Sequence, residues 1–376
     1  MTGARRRYTL LLSVALVVPG QLAPAAVVVV GTATCGGLEP TIVGTAGSDT
    51  IVGTADADVI MSLGGDDTID GLGGDDVICA GAGDDLVRGR AGQDHIRGGM
   101  GDDILFGGPG LDLLVGQGGN DTLRGGTDAD SLEGGSGHDQ LFGGASGDGA
   151  FGGNFIVGGA GDDLIHGGSG DLDEAWFADA PSAIVLDLGA HVSTGHGNDT
   201  IFGIEVVFGT PHDDVIIGNR AANWLQGSSG DDVLLGKGGD DRLSPGGGSN
   251  TMHGGLGSDR VDYGSAHVTS GVAVDLRAGI TTGVDFEGTA FTDTLALIED
   301  IGGTMFDDVL IGGNGPTTIF AQAGDDVVRG RGGDDLLYGG IGFDSIFGGP
   351  GSDVCEGEEL RSCEVTNQLQ LGGASQ

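Results

Sequence analysis

The sequence predicts an all-β protein built as a parallel β-solenoid, a stack of short coils. Two observations carry that expectation. A nine-residue motif recurs in strict phase, as in GGMGDDILF, GGPGLDLLV and GQGGNDTLR over residues 98–124, with an Asp at its sixth position and an aliphatic residue at its eighth. Glycine supplies 83 of the 376 residues, far above the ~7% usual in globular proteins. Nine residues that bury one apolar side chain suit neither an amphipathic helix nor an ordinary strand. They suit one turn plus one very short strand, stacked on copies of itself. Two consecutive nonapeptides then make one full coil.

The elements follow in order. Residues 1–25 read as a secretory signal peptide: Arg5, Arg6 and Arg7 precede an apolar run at 10–18 that is too short to span a bilayer, and Ala23, Pro24 and Ala25 offer a small-residue cleavage site. Residues 26–43 are expected as an N-terminal cap. Export leads to an oxidising compartment, and four cysteines fit it. Three pairings are formally possible; Cys35–Cys79 and Cys355–Cys363 would staple the two ends of the stack.

The first block of repeats spans residues 44–170. Its sixth positions are Asp49, Asp58, Asp67, Asp76, Asp85, Asp94, Asp103, Asp112, Asp121, Asp130, Asp139 and Asp148, and its eighth positions run from Ile51 to Ala150. Phasing weakens over 152–157 and returns with Asp163 and Ile165. A first insert, 171–208, holds the alternating segment AIVLDL and the segment DTIFGIEVVFGT. The second block, 209–262, has Asp214, Asn223, Asp232, Asp241, Asn250 and Asp259 at its sixth positions. A second insert, 263–302, repeats the first 94 residues later, with Ile298-Glu299 falling on Ile204-Glu205. The third block, 303–356, carries Asp308, Thr317, Asp326, Asp335, Asp344 and Asp353. A larger unit, insert plus six nonapeptides, is therefore duplicated. The inserts are expected to add a short sheet or edge cover beside each new stack. Trp176, Phe177 and Trp224 would plug open stack ends, and 357–376 would form a C-terminal cap and tail.

Charge points to chemistry. Fifty-six acids against 15 bases give a net charge of −41, which disfavours nucleic acid and anionic membranes as partners and favours cations. In a two-repeat coil the sixth-position Asp residues fall on two opposite edges, alternate repeats sharing an edge. Stacked coils space these carboxylates at about 4.8 Å. Unit charges at that distance repel by about 3–4 kcal/mol per pair at an effective dielectric of 20, so each ladder calls for a cation. Hard carboxylate and carbonyl oxygens, without converging His or Cys, select Ca²⁺ over zinc or copper, and Mg²⁺ demands a tighter octahedron. The first Asp of each DD pair (Asp66, Asp75, Asp84) is expected to face solvent and attract cations.

These nonapeptides resemble the GGxGxDxUx unit of the RTX (repeats-in-toxin, haemolysin-type) calcium-binding proteins over most of residues 44–356. The resemblance implies a right-handed parallel β-roll with multiple Ca²⁺ ions between turns, held by sixth-position Asp side chains and by carbonyls of the glycine-rich turns. Carried over, the metal ligands would be the twelve Asp residues of the first block named above, with Asp163, Asp214, Asp232, Asp241, Asp259, Asp308, Asp326, Asp335, Asp344 and Asp353. Sites bridging Asp214–Asp232, Asp241–Asp259, Asp308–Asp326, Asp326–Asp344 and Asp335–Asp353 would be the strongest of the later blocks, and those touching Asn223, Asn250 or Thr317 weak or empty. RTX proteins commonly use an uncleaved C-terminal export signal. An N-terminal signal here departs from that, so neither a toxin role nor its secretion route transfers.

Nothing in the chain reads as catalytic. None of the eight histidines precedes Glu, so HExxH is absent, and no GxSxG occurs. His191 and His196 lie in the first insert without a third ligand nearby in sequence; His138, His166, His212 and His253 read as surface residues. The expected function is a secreted, extracellular calcium-binding scaffold that folds on Ca²⁺, with no catalysis, no nucleic-acid partner and no membrane span after signal removal. The alternatives are an extracellular adhesion module, or a non-catalytic appendage related to RTX proteases and lipases.

Overall fold

The computed structural model describes residues 34–146, 153–170, 172–264, 268–357, 359–361, 363 and 365–366. The expected signal peptide, the start of the N-terminal cap, Asp148, Ala150 and the tail from 367 lie outside the described residues.

Each nonapeptide among the described residues supplies one strand of three to six residues, and the aliphatic residue of its Asp-x-aliphatic segment points inward, as Ile69 does at the buried centre of Thr68–Asp70. Alternate strands fall in two parallel sheets. Ile51 pairs with Ile69 in one sheet and Ile60 with Ile78 in the other, so the register advances by eighteen residues per coil. Between the sheets lies a column of eighth-position side chains, among them Ile60, Ile69, Leu105, Leu114, Leu123 and Leu132, all fully buried. The fold is thus an all-β parallel solenoid, as the repeat predicts. The turns demand glycine at particular places: Gly101 has φ 119°, and a methyl group on its Cα would collide with the Gly83 carbonyl of the preceding coil.

Both inserts lie within the stack, not beside it as the expected short sheet or edge cover would, because the sheets run through them. In the 17-stranded first sheet, Phe155–Ala160 pairs with Glu174–Trp176, which pairs with Val206–Phe208, without a gap. In the second sheet a three-stranded antiparallel meander fills the same level. Leu164–Ser169 pairs in parallel with Asn198–Phe202, followed by Val192–Thr194 and Val185–Asp187, and the last pairs in parallel with Val215–Ile217. The second insert repeats this arrangement between Thr251–Leu256 and Val309–Ile311. Alternating apolar residues make these strands amphipathic, and Ile184, Leu186 and Leu188 extend the core column.

Among the described residues the boundaries between blocks therefore leave no open stack end for aromatic plugs to cover. Trp176 lies on the outer face of the first sheet, stacked 3.9 Å from Phe208 and 5.0 Å from Phe155. Trp224 continues the series beneath the Arg242 guanidinium. Phe177 alone is buried. Both expected disulfides are present, Cys35–Cys79 across 5.7 Å and Cys355–Cys363 across 6.0 Å between Cα atoms.

Candidate functional site

Among the described residues, the sixth-position Asp residues line the two turn edges of the solenoid, all buried except the half-buried Asp49. Each uses one oxygen structurally. Asp103 Oδ1 accepts the Asp85 N–H at 2.8 Å, and Asp121 Oδ1 accepts the Asp103 N–H at 2.8 Å. On this edge the chain of bonds runs Asp49, Asp67, Asp85, Asp103, Asp121, Asp139, Asp163. The opposite edge runs Asp58, Asp76, Asp94, Asp112, Asp130. The same bonds join Asp214 to Asp232, Asp241 to Asp259, Asp308 to Asp326, Asp326 to Asp344 and Asp335 to Asp353. Sequence reasoning placed bare carboxylates opposite one another; the backbone N–H bonds moderate that repulsion.

The second oxygen is different. Oδ2 of Asp67, Asp76, Asp85, Asp94, Asp103, Asp112, Asp121, Asp130, Asp139, Asp163, Asp232, Asp241, Asp259, Asp326, Asp335 and Asp353 is buried and has no hydrogen-bond donor. A buried charged acceptor without a partner is costly. It also shifts protonation. Burial pushes the Asp103 carboxyl up to about 7, with its neighbours Asp121 and Asp85 adding to the shift and the Asp85 N–H opposing it. Burial likewise carries Asp130 and Asp232 up to about 8.

Four predicted ligands stand apart. Asp49, Asp58, Asp214 and Asp308 take their places in the ladders, but their Oδ2 atoms already accept backbone N–H groups from Thr45, Thr54, Thr210 and Thr304 at 2.6–2.7 Å. Asp214 and Asp308, expected among the strongest positions of the later blocks, therefore lack the orphaned oxygen. Asn223, Asn250 and Thr317 occupy ladder positions; Asn250 Oδ1 accepts the Asp232 N–H in the acid's place.

The ladders also include residues that the nonapeptide pattern missed. Asp130 passes its N–H to Asn154, not to the expected Asp148, which lies outside the described residues; Asn154 passes its own to Asp173, and Asp173 to Glu205. On the other edge Asp163 is followed by Asp199. In the second insert Asn250 donates to Asp293 and Asp259 to Glu299. The signal was present as the Asp-x-apolar or Glu-x-apolar triads of DTIFGIEVV and DTLALIEDI. The Asp173 Oδ2 is buried without a donor, whereas Asp293 Oδ2 accepts the hydroxyl of fully buried Tyr263 at 2.7 Å.

The first Asp of each DD pair is exposed, as expected, and in addition forms an outer ladder of opposite sense. Asp84 donates its N–H to Asp66, Asp102 to Asp84, and Asn120 to Asp102. His138 belongs to this ladder, not to an unengaged surface: its Nδ1 accepts the Asp162 N–H at 2.9 Å. His191 bonds to the Ile201 carbonyl at 3.0 Å and packs on Phe202, and His196 lies 3.9 Å from Asp179.

Among the described residues no three His, Cys, Asp or Glu side chains converge as a metal cage. The donors beside the orphaned oxygens of Asp121 and Asp130 are of another kind. At Gly116 the Cα is flanked by Asp121 Oδ2 and by the Gly134 carbonyl of the next coil, so that a methyl group there would collide with both. Carboxylate and main-chain carbonyl oxygens, with no nitrogen or sulfur, are the donor set of Ca²⁺. The residues present fit that ion.

Comparison with known families agrees with this chemistry. The family model described as the RTX calcium-binding nonapeptide repeat (4 copies) matches residues 43–78, 80–114, 115–150, 148–171, 208–243, 246–267, 302–337 and 329–359. Those stretches cover most of the chain and omit residues 172–207 and 268–301 of the two inserts. A search of curated proteins found no match. With the greater part of its length matched, and with the coils stacked as that repeat requires, the chain belongs to the RTX calcium-binding nonapeptide-repeat family.

Proposed function

We propose that this is a secreted repeat protein whose roll folds on binding several Ca²⁺ ions outside the cell and then serves as a structural or interaction scaffold, without catalysis. The observation that carries the reading is the run of buried Oδ2 atoms without donors along both turn edges. When bound, calcium supplies positive charge between coils and takes the lone pairs that the protein leaves open. The chain's own residues do the positioning. Oδ1 is fixed by the backbone N–H of the neighbouring coil, the first-position glycine leaves room, and the next coil brings its carbonyl. Ions that bind the folded chain alone shift the equilibrium toward it by mass action. The two disulfides support an oxidising compartment.

Far-UV circular dichroism of the mature chain, titrated with CaCl₂ and then EGTA, tests this. Strand signal should grow with calcium and fall with chelator. A β spectrum indifferent to EGTA would sink the reading.

A further inference from the structure

The turns come in two forms, and the residue at the second position of the nonapeptide selects between them. In turns whose Asp Oδ2 is orphaned, that residue is left-handed, whether glycine (Gly99, φ 127°) or not (Arg90, 86°; Lys237, 82°). The fourth position of these turns is left-handed too, as at Gly101. Where the second residue is Thr, φ is not positive, because a β-branched side chain disfavours that region. The turn then closes on itself. The Thr N–H reaches the Asp Oδ2 four residues on, and the Thr Oγ1 accepts the N–H of the fourth residue, at 3.0 Å from His212 and from Phe306. The hydroxyls of Thr210 and Thr304 also donate to Asp214 and Asp308, at 2.8 and 2.9 Å. The carboxylate that would face a cation is satisfied from within its own turn.

The closed turns are not scattered. Thr45 and Thr54 make the first coil of block one, one on each edge. Thr210 and Asn219 make the first coil of block two, where the Asn219 N–H donates to Asn223 Oδ1 at 2.9 Å. Thr304 and Gly313 make the first coil of block three, the Gly313 N–H reaching Thr317 Oγ1 at 3.4 Å. Each pair is the first full coil laid after the N-terminal cap or an insert.

We infer that the opening coil of each block folds without a cation, closed by its second-position residue, and that calcium loading begins with the coil stacked upon it. This rests on the calcium-binding reading above and divides the acidic ladder into loading and non-loading positions. Asp49, Asp58, Asp214 and Asp308 belong to the second class. The opening coils are built templates on which calcium-dependent coils add.

Native mass spectrometry of the full chain in calcium acetate counts the ions. The double variant Thr304→Gly, Phe306→Gly, which restores the open-turn pattern GGMGDD, should bind one more ion than the wild type. The reverse variant, Gly99→Thr with Gly101→Ser, should bind one fewer while keeping its strand spectrum in calcium. An unchanged count in a folded variant of either kind overturns the inference and leaves the calcium reading standing. A wild-type chain that binds no calcium overturns that reading, and the inference with it.

Discussion

Replacing Asp103 by Asn should act with opposite sign in the presence and absence of calcium. The side chain has two separable tasks. Its Oδ1 accepts the Asp85 N–H at 2.8 Å, a bond the Asn oxygen can keep, as Asn250 does for Asp232. Its Oδ2 is buried without a donor, and burial lifts the carboxyl from 3.8 to about 7. Holding the group ionised at pH 8 in chelator then costs about 4 kcal/mol, at about 1.4 kcal/mol for each pH unit. Asn removes that cost and adds a buried amide N–H₂, unpaired as in Asn223, worth about 1–3 kcal/mol. The calcium-free chain should gain about 1–3 kcal/mol from the exchange. In saturating calcium the variant should instead lose an ion and melt below the wild type. Asp103→Ala sheds the same buried charge but strands the Asp85 N–H, at about 1–3 kcal/mol, and gives up side-chain packing, so it should gain less than Asp103→Asn in EGTA and lose the ion as well in calcium. Thermal melts followed at the strand band in EGTA and in CaCl₂ measure all three chains. If Asp103→Asn lowers stability in EGTA, the buried charge is not what calcium relieves.

Two further outcomes follow from the same geometry. Carboxyls lifted to about 7 or 8, such as Asp103, Asp130 and Asp232, hold protons in the folded chain at a pH where the unfolded chain, titrating near ~3.9, has lost them. Their contribution is fully present below about pH 4 and disappears as pH rises through about 7–8. Calcium-free protein should therefore gain strand signal on acidification from about pH 8 to about pH 5; a flat signal across that range contradicts the burial argument. Leu114→Ala opens a cavity in a fully buried column and should cost about 2–5 kcal/mol in calcium, read by urea denaturation. A loss below about 1 kcal/mol would mean that the coil interior collapses to fill the gap.

The core and most of both ladders were legible because one period governs them. An Asp at position six and an aliphatic residue at position eight, nine residues apart, fix which side chains meet once the coils stack. Where the chain detours, sequence distance no longer measures spatial distance. Asp130 meets Asn154 across 24 residues, and Asn250 meets Asp293 across 43, so a nine-residue ruler passes over them. The closed turns were invisible for another reason. GTPHDD and GGMGDD place the same acid at the same position, and a ruler that reads only positions six and eight passes over the second residue, whose backbone angle and N–H decide whether the acid's Oδ2 is satisfied. The outer Asp ladder escaped notice because exposure and hydrogen bonding are compatible: Asp84 lies in solvent and still accepts the Asp102 N–H.

The meanders settle a question of parity. Each places three strands where an ordinary coil places one, and three is odd, so the chain leaves the detour travelling in the direction it entered. Val215–Ile217 runs parallel to Val185–Asp187, the first meander strand in the chain, and Val309–Ile311 runs parallel to Ala273–Asp275 one unit later. A two-stranded hairpin at that level would invert every strand laid afterwards and exchange the two carboxylate edges. The detour plus its six repeats can therefore be copied end to end without altering the course of anything downstream. The two copies already present make the length of this protein a matter of how many times the unit is inherited.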